Sequence, residues 1–263
     1  VSWEGGGRWW AVLFGDGDWR TPTEDRPAPP AMAPGARLSL ADGAAATLEA
    51  RSERSERLVL LRFDRQGADL WRSLYRQGRP IQYSYLEQDL PLEAVQTAYA
   101  GRPWAVEMPS AGYALRWSVL AALRRAGVEL AWLTHAAGIS ATGDDALDAQ
   151  LPLPERYEIP DETAAAVDQA RGRVIAVGTS VVRALEGDLR LGRPGRGTTD
   201  LILGPHTPLR RVDGVVTNLH VPGESHFELL QAFAPRSALL AGVYKAARRG
   251  WLAHEFGDGM VIL

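Results

Sequence analysis

Short apolar runs separated by turn residues fill the first 80 residues of the chain. The runs 37–40, 45–50 and 58–63 have the length of strands, and an Asp-Gly turn and a charged stretch divide them. An earlier aromatic run, 9–14, leads into Gly-Asp turn residues, and the prolines that follow it exclude a helix there. Several short strands at this spacing are typical of a small β-barrel or sandwich. We therefore predict a β-barrel-like domain over residues 1–80.

The pattern after this region changes to strands that alternate with amphipathic helices. Helical periodicity covers the segments 67–78, 115–126, 161–171, 180–185, 225–234 and 237–249. Short apolar runs of strand length cover 128–134, 174–177, 201–203, 215–216 and 261–262. Strands that alternate with helices favour a mostly parallel sheet. We predict an α/β main domain over residues 81–263 that carries the site.

Composition narrows the function classes. The chain has 263 residues, a net charge of −3 and no cysteine, so it has no disulfides, no thiolate nucleophile and no zinc site with sulfur ligands. No apolar run approaches the roughly 20 residues that span a bilayer, and no signal-peptide pattern is present, so we expect a cytoplasmic protein without a membrane partner. The five histidines show no metal-ligand spacing, and we expect no metal. The first residue is Val1, and the sequence leaves open the natural start and the oligomeric state.

Three segments place polar residues at predicted strand ends, where ligands bind in α/β sheets. The run Gly-Thr-Ser over 178–180 opens a helix, and either caps that helix or binds a polar ligand group. The run Thr-Asn-Leu-His over 217–220 offers groups that bind a substrate or move a proton, although the same groups could tie down the loop. The run Phe-Gly-Asp-Gly-Met over 256–260 holds an aspartate that orients a histidine or forms a simple turn.

Four blocks of the C-terminal half, in order, resemble the S-adenosylmethionine:tRNA ribosyltransferase-isomerase family of queuosine biosynthesis. Residues 172–186 resemble the family's Gly-x-Val-x-Ala-Val-Gly-Thr-Thr-x-x-Arg-x-Leu-Glu block, and 197–202 resemble its following Gly-x-Thr stretch. Residues 217–222 are similar to its Thr-Asn-Phe-His-Leu-Pro, and 256–262 to its Phe-Gly-Asp-Ala-Met-Leu-Ile. Weaker similarity precedes these blocks, at 96–100, 109–112 and 134–138.

The chain departs from the family pattern at several polar positions. Ala94 and Val95 stand where the family has arginine and tyrosine, Tyr113-Ala114 replaces a Leu-His pair, and Leu153 replaces a histidine. Glu155 and Tyr157 match the family, but its segment ahead of the β-barrel has no counterpart here.

The resemblance implies an enzyme that moves the ribosyl part of S-adenosylmethionine onto a 7-deazaguanine base in tRNA. S-adenosylmethionine is then a substrate, tRNA is a partner, and adenine and methionine leave. Such a site needs a base, a proton donor and groups that fix the ribose. By position, we expect His220 as the acid/base and Asp258 as its orienting or ribose-binding partner. The residues expected to bind substrate are Gln96, Tyr99, Ser110, His135, Gly178, Thr179, Arg183, Thr217, Asn218 and Ser225.

Two other hypotheses stay open at this point. One is a divergent relative that binds S-adenosylmethionine and acts on a small molecule, which the acidic pI of about 6.0 and the lost histidines favour. The other is a non-catalytic binding protein with the same fold. His206, His226 and His254 receive no role from the sequence.

Overall fold

The chain of the computed structural model, which describes residues 1–263, divides into two units. The first unit contains Val1–Val95 and Gly138–Leu151, and the second contains Gln96–Ala137 and Pro152–Leu263. The first unit thus extends beyond residue 80, where the sequence places its end, and includes a later segment of the chain. No helix combines the length and the apolar character that crossing a lipid bilayer requires.

Eleven strands and seven α-helices form the two units. The strands are β1 (Ser2–Gly5), β2 (Arg8–Val12), β3 (Arg37–Ser39), β4 (Ala45–Ser52), β5 (Ser55–Phe63), β6 (Thr134–His135), β7 (Glu155–Glu158), β8 (Ile175–Val177), β9 (Arg196–Thr199), β10 (Gly214–Asn218) and β11 (Gly259–Ile262). The helices are α1 (Gly67–Gln77), α2 (Trp117–Arg125), α3 (Asp145–Asp148), α4 (Asp161–Asp168), α5 (Thr179–Arg190), α6 (Ser225–Leu230) and α7 (Arg236–Ala247). Single 3-10 turns cover Thr23–Asp25, Leu92–Val95 and Ser110–Gly112.

The first unit is built on a five-stranded antiparallel sheet in the order β1-β2-β5-β4-β3. Inward-facing residues alternate along the two central strands, and Leu48 pairs with Leu61 at the centre of a small apolar core. Residues of β-strands point alternately to the two faces, which is why this core was visible in the sequence. The sequence predicted a barrel-like fold for this region. In the structure, β1 and β3 form the two edges of the sheet.

The second unit has two three-stranded sheets, and the prediction of a mostly parallel sheet is wrong. β8 and β10 pair in parallel, but β11 joins β10 in the antiparallel direction, and β6-β7-β9 is antiparallel throughout. A single helix between two neighbouring strands returns the chain to the end of the sheet where the first strand began, so the two strands run parallel. Two helices, α6 and α7, separate β10 from β11, and the chain enters the last strand from the opposite end.

The core of the second unit packs around α5. Val182 and Leu185 on this helix are buried with Val215 of β10 and with Phe227 and Leu230 of α6. Each such side chain contributes roughly 1.5–3 kcal/mol to stability when it is fully buried. The helix therefore keeps a fixed position beside β10, and its first turn lies where the parallel strands end.

A buried carboxylate fastens the other end of α5. Glu186 accepts hydrogen bonds from the backbone N–H groups of Arg210, Arg211 and Val212, at 2.8–3.2 Å. These three residues lead directly into β10. A carboxylate with several amide donors makes strong bonds, so this contact joins the helix to the segment before the strand.

Two predicted strands of this unit are wrong. Leu201 and Leu203 are buried but irregular, and the strand lies just before them in β9. Residues 128–134 were predicted as a buried strand, but only Thr134 of that segment belongs to β6, and Val128 and Trp132 are exposed. Apolar composition correctly predicted the burial of Leu201 and Leu203, but it wrongly predicted a strand in both segments. Composition does not show where the backbone finds a hydrogen-bonded partner strand.

Candidate active site

The first turn of α5 lies close to the 3-10 turn Ser110–Gly112. Gly178 has a φ of 97°, donates its N–H to the Val216 carbonyl at 2.8 Å and precedes the helix. A Cβ at this glycine would lie 3.8 Å from the Ala111 side chain. Positive φ requires glycine here, so the chain can turn sharply from β8 into α5 with the helix N-terminus beside the turn.

His220 lies between a hydroxyl and a carboxylate. Its Nε2 is 3.0 Å from Thr217 Oγ1, and its Nδ1 is 3.2 Å from Glu224 Oε2. Glu224 also accepts the Val221 N–H at 3.1 Å, and although burial opposes ionisation, these hydrogen bonds lower the pKa of its carboxyl. An ionised carboxylate selects the tautomer with hydrogen on Nδ1, which leaves the Nε2 lone pair to accept the Thr217 hydroxyl. His220 therefore offers a proton acceptor at Nε2.

His226 stacks on His220 with ring centroids 4.8 Å apart and planes inclined by 15°. Burial lowers the pKa of His226 to about 4, and repulsion from Arg183, and from His220 whenever that ring is protonated, adds to this effect. His226 is thus a neutral ring at neutral pH. We call His220, Glu224 and His226 the histidine cluster.

A second buried group contains His135, Glu155 and Arg183. The Arg183 guanidinium forms an ion pair with the Glu155 carboxylate and donates Nε–H to the Leu201 carbonyl at 3.0 Å. His135 Nε2 lies 3.4 Å from the same carboxylate without hydrogen-bond geometry. Burial, and then the charge of Arg183, lower the pKa of His135 to about 3. The charge of Arg183 thus lowers the pKa of both His135 and His226.

Arg183 was expected to bind substrate, but the residue is only 5% exposed. Its guanidinium already contacts the Glu155 carboxylate and the Leu201 carbonyl. Its contacts make it a positioning residue. It joins α5 to β7 through Glu155 and to the chain after β9 through Leu201.

Asn218 and Asp258 both hold the segment 252–258, which we call the 252–258 loop. Asn218 Nδ2 donates to the carbonyls of His254 and Glu255 at 3.2 and 3.0 Å. The Asp258 carboxylate accepts the Leu252 N–H at 3.0 Å, and its own N–H returns to the Leu252 carbonyl at 2.9 Å. The carboxylate that contacts His220 is therefore that of Glu224, while Asp258 closes a loop.

The other expected residues lie at different depths around this region. Thr179 is buried in the first turn of α5, Ser225 is exposed at the start of α6, and Ser110 begins the 3-10 turn. Gln96 is exposed, and Tyr99 packs on the Trp132 ring and beside Gly112. The structure brings Thr217 and His220 into contact, and it ties Gly178 to the strand that carries them.

Glu224 and His226 were missed as site residues. The sequence signal for Glu224 was its position four residues after His220 in a Pro-Gly turn, where a carboxylate can return to the histidine. His226 had no signal, because stacking of two imidazole rings depends on how α6 begins. No group of three or more His, Asp or Glu side chains is arranged to hold a metal ion.

Comparison with known families matches the model described as queuosine biosynthesis protein over residues 10–262. The chain belongs to this family. The family predicted from the four sequence blocks is thereby confirmed.

Relatives within the queuosine biosynthesis family are about one third identical to the chain. An S-adenosylmethionine:tRNA ribosyltransferase-isomerase of Anaeromyxobacter dehalogenans is 36% identical over 230 residues, which cover 82% of this chain and 66% of that protein. The protein of the same name from Thermus thermophilus is 38% identical over 214 residues, covering 78% of this chain and 61% of the relative. The chain thus spans less than two thirds of the length of these relatives.

A solved structure shares the fold. The crystal structure of S-adenosylmethionine tRNA ribosyltransferase from Thermotoga maritima aligns with a TM-score of 0.50 and 23% sequence identity, over 100% of this chain and 73% of that one. This similarity supports mixed α/β architecture.

Proposed function

We propose that this protein transfers the ribosyl part of S-adenosylmethionine to a 7-deazaguanine base in tRNA and isomerises the sugar, as a cytoplasmic enzyme of queuosine biosynthesis. The observation that carries the proposal is the contact of His220 with Thr217 and Glu224, inside a chain whose relatives are named for this reaction. The contact supplies a proton acceptor at the end of β10, where a ligand would bind.

The charge of the site suits a cationic substrate. A sulfonium carries a positive charge, so additional cations beside it would weaken binding. His226 and His135 have pKa values of about 4 and 3, so both are neutral at neutral pH. The one arginine of the group, Arg183, is already paired with Glu155. Glu224 then places a negative charge near the substrate.

His220 is the proposed base of the first step. The sulfonium acidifies the neighbouring ribose C5′–H, and His220 Nε2 accepts that proton. The electron pair left on C5′ forms a C4′=C5′ double bond as the C4′–O4′ bond breaks. O4′ then becomes a carbonyl oxygen at C1′, and adenine leaves from C1′ and takes a proton from the imidazolium of His220. Thr217 occupies this lone pair in the structure, so its hydroxyl rotates away when substrate binds. Glu224 stabilises the imidazolium that forms, in the role that a carboxylate plays beside other catalytic histidines.

The remaining steps need an acceptor and binding groups. The amine of the tRNA base attacks the sugar, and methionine leaves as a neutral thioether. We assign substrate contacts to Ser110, Gly178, Thr179 and Thr217, which lie on segments that the structure brings together, and to Ser225 at the start of α6. Gln96, Tyr99 and His135 complete the proposed set of substrate-binding residues.

A binding and product assay tests the proposal. S-adenosylmethionine is titrated by calorimetry, and adenine and methionine are then measured by chromatography with and without tRNA that carries the aminomethyl-7-deazaguanine base. The proposal expects saturable binding and tRNA-dependent adenine release, with release lost in His220→Ala and binding largely kept. Release without tRNA would indicate a small-molecule acceptor, and absence of binding would contradict the enzyme hypothesis.

A further inference from the structure

The C-terminal end of α7 carries exposed aromatic and basic side chains that the site does not use. We define the α7 patch as Tyr244, Lys245, Arg248, Arg249 and Trp251. Tyr244 is 67% exposed and Trp251 is 44% exposed, and the three basic residues are also exposed. Single exposed aromatic residues are common, but aromatic residues grouped with cations at one helix end are typical of an interaction site.

The cations of the α7 patch have no carboxylate partners. None of the protein's ion pairs includes Lys245, Arg248 or Arg249, whereas Arg193 and Arg211 of the same unit share Asp168. The Arg249 guanidinium instead lies 5.4 Å from the Trp251 ring centroid. Three uncompensated charges therefore remain available to an anionic partner.

The backbone fixes where the aromatic rings stand. Gly250 has a φ of 71° and donates its N–H to Ala247, while the Trp251 N–H reaches back to the Ala246 carbonyl at 3.1 Å. This pair of bonds is the helix ending that glycine favours, and it sets Trp251 directly after the last turn. Tyr244 and Arg248 are four residues apart and share one face of the helix.

Helix electrostatics explain only part of the α7 patch. Cations near a helix C-terminus interact favourably with the helix dipole, and Lys245, Arg248 and Arg249 satisfy that rule. The dipole gives no reason to expose Tyr244 and Trp251. The same arrangement of basic groups with rings occurs where proteins hold single-stranded nucleic acid, because bases stack on aromatic faces while cations neutralise phosphates.

The α7 patch is continuous in sequence with the site. Trp251 is followed directly by the 252–258 loop, which Asp258 closes and which Asn218 of β10 holds through two hydrogen bonds. His220 lies two residues after Asn218. A nucleic acid on the patch would therefore lie next to the 252–258 loop. That loop is hydrogen-bonded to Asn218 of β10, two residues before His220.

We propose that the α7 patch binds a single-stranded segment of the RNA substrate, with Lys245, Arg248 and Arg249 on phosphates and Tyr244 and Trp251 stacked on bases. This inference rests on the proposed function and names the surface by which that function holds its RNA. A target base has to be unpaired to enter a protein site, so a loop of the RNA rather than a duplex is the expected ligand.

The test compares affinities of the full chain for an RNA stem–loop and for a blunt RNA duplex of equal length, at several salt concentrations. Arg248→Gln/Arg249→Gln is expected to weaken binding of both RNAs about tenfold, and to reduce the slope of log affinity against log salt by about 1.4 for the stem–loop. Tyr244→Ala and Trp251→Ala are each expected to weaken stem–loop binding about tenfold and duplex binding much less.

The matched control is Arg124→Gln/Arg125→Gln, which removes the same charge from the last turn of α2. The inference expects wild-type affinity from this control and unchanged S-adenosylmethionine binding from every variant. Equal losses in the two double variants, or no loss in Trp251→Ala, would overturn it while leaving the proposed function intact. Loss of self-association in place of RNA binding would show instead that the patch joins protein chains.

Failure of the proposed function has a different signature. If wild-type protein binds neither RNA, both the inference and the tRNA acceptor fall. If wild-type protein binds RNA and S-adenosylmethionine normally, and the patch variants bind RNA as tightly as the control variant does, the inference alone falls.

Discussion

His226 stacks on His220 at 4.8 Å, and burial keeps the ring of His226 neutral while His220 faces Glu224. The two histidines therefore differ in their partners although they are six residues apart. One contacts a hydroxyl and a carboxylate, and the other supplies a flat surface that limits rotation of its neighbour. Predictions for the site follow from this difference.

Stability should fall in mild acid because His226 and His135 are neutral in the folded protein. Their pKa values, about 4 and 3, lie below the ordinary 6.5, so the unfolded chain binds more protons below pH 6.5. Stability is complete above pH 6.5 and is lost as pH falls toward 4. The loss from His226 alone is on the order of 3 kcal/mol, at about 1.4 kcal/mol for each unit of pKa.

Urea unfolding at pH 7.5 and at pH 5 measures this effect. His226→Phe keeps a flat ring on His220 but cannot bind a proton, so its stability should change less between the two pH values than that of wild type. An identical change in both proteins would show that His226 is protonated as easily in the folded as in the unfolded state.

Glu224 rather than Asp258 should support the chemistry of His220. Glu224→Gln removes the negative charge beside Nδ1, and we expect tRNA-dependent adenine release to fall about 10- to 100-fold. Asp258→Asn weakens the bond that closes the 252–258 loop and should reduce release less, while it lowers thermal stability. Chromatography of adenine from both variants decides between the two carboxylates, and a larger effect of Asp258→Asn would reverse the assignment.

The ion pair of Glu155 with Arg183 should be costly to break. Glu155→Gln leaves a buried guanidinium without its counter-charge, for which about 3–5 kcal/mol of stability is expected to be lost. Asp69→Asn, which breaks the exposed pair with Arg72, is the control and should cost less than about 1 kcal/mol. Urea unfolding of the two variants measures both values, and similar costs would contradict the burial of Glu155.

Gly112 should tolerate no side chain while Tyr99 is present. A Cβ at Gly112 would stand 1.8 Å from the Tyr99 hydroxyl oxygen and 3.0 Å from the ring carbon that bears it. We expect Gly112→Ala to destabilise the protein by about 1–3 kcal/mol, the range for overpacking. Tyr99→Phe removes the closest atom, so the double variant should recover part of the loss. Strict additivity of the two changes in thermal unfolding would show that the residues do not meet.

Four of the five strands of the first unit and most helices could be predicted from apolar spacing alone, whereas β1 was not among the predicted segments. β4 and β5 carry buried aliphatic residues at alternate positions, such as Ala46 and Leu48, or Val59 and Leu61. The helix α7 follows the predicted helix within a few residues. β7 was not predictable in this way, because its two buried residues are Glu155 and Tyr157. Their burial depends on Arg183 and Asp188, which lie on a distant helix.

Some residues of the candidate site could likewise be predicted from the sequence, and others could not. Thr217, Asn218 and His220 stood out because polar residues interrupt an apolar strand end. Asp258 was expected from the sequence to be the partner of His220, and Glu224 was overlooked, although both carboxylates lie in glycine-containing turns. Only the folded chain shows that Asp258 is used by the Leu252 amide and that Glu224 remains for His220.

The three amide bonds of Glu186 have a mechanical consequence for the site. They join the far end of α5 to the residues before β10, and the Gly178 amide joins the near end of the helix to Val216 of that strand. The helix and the strand are therefore braced at both ends, and Thr179 and Thr217 keep a constant separation when a ligand arrives. Accommodation of a substrate falls to side-chain rotation, beginning with the Thr217 hydroxyl.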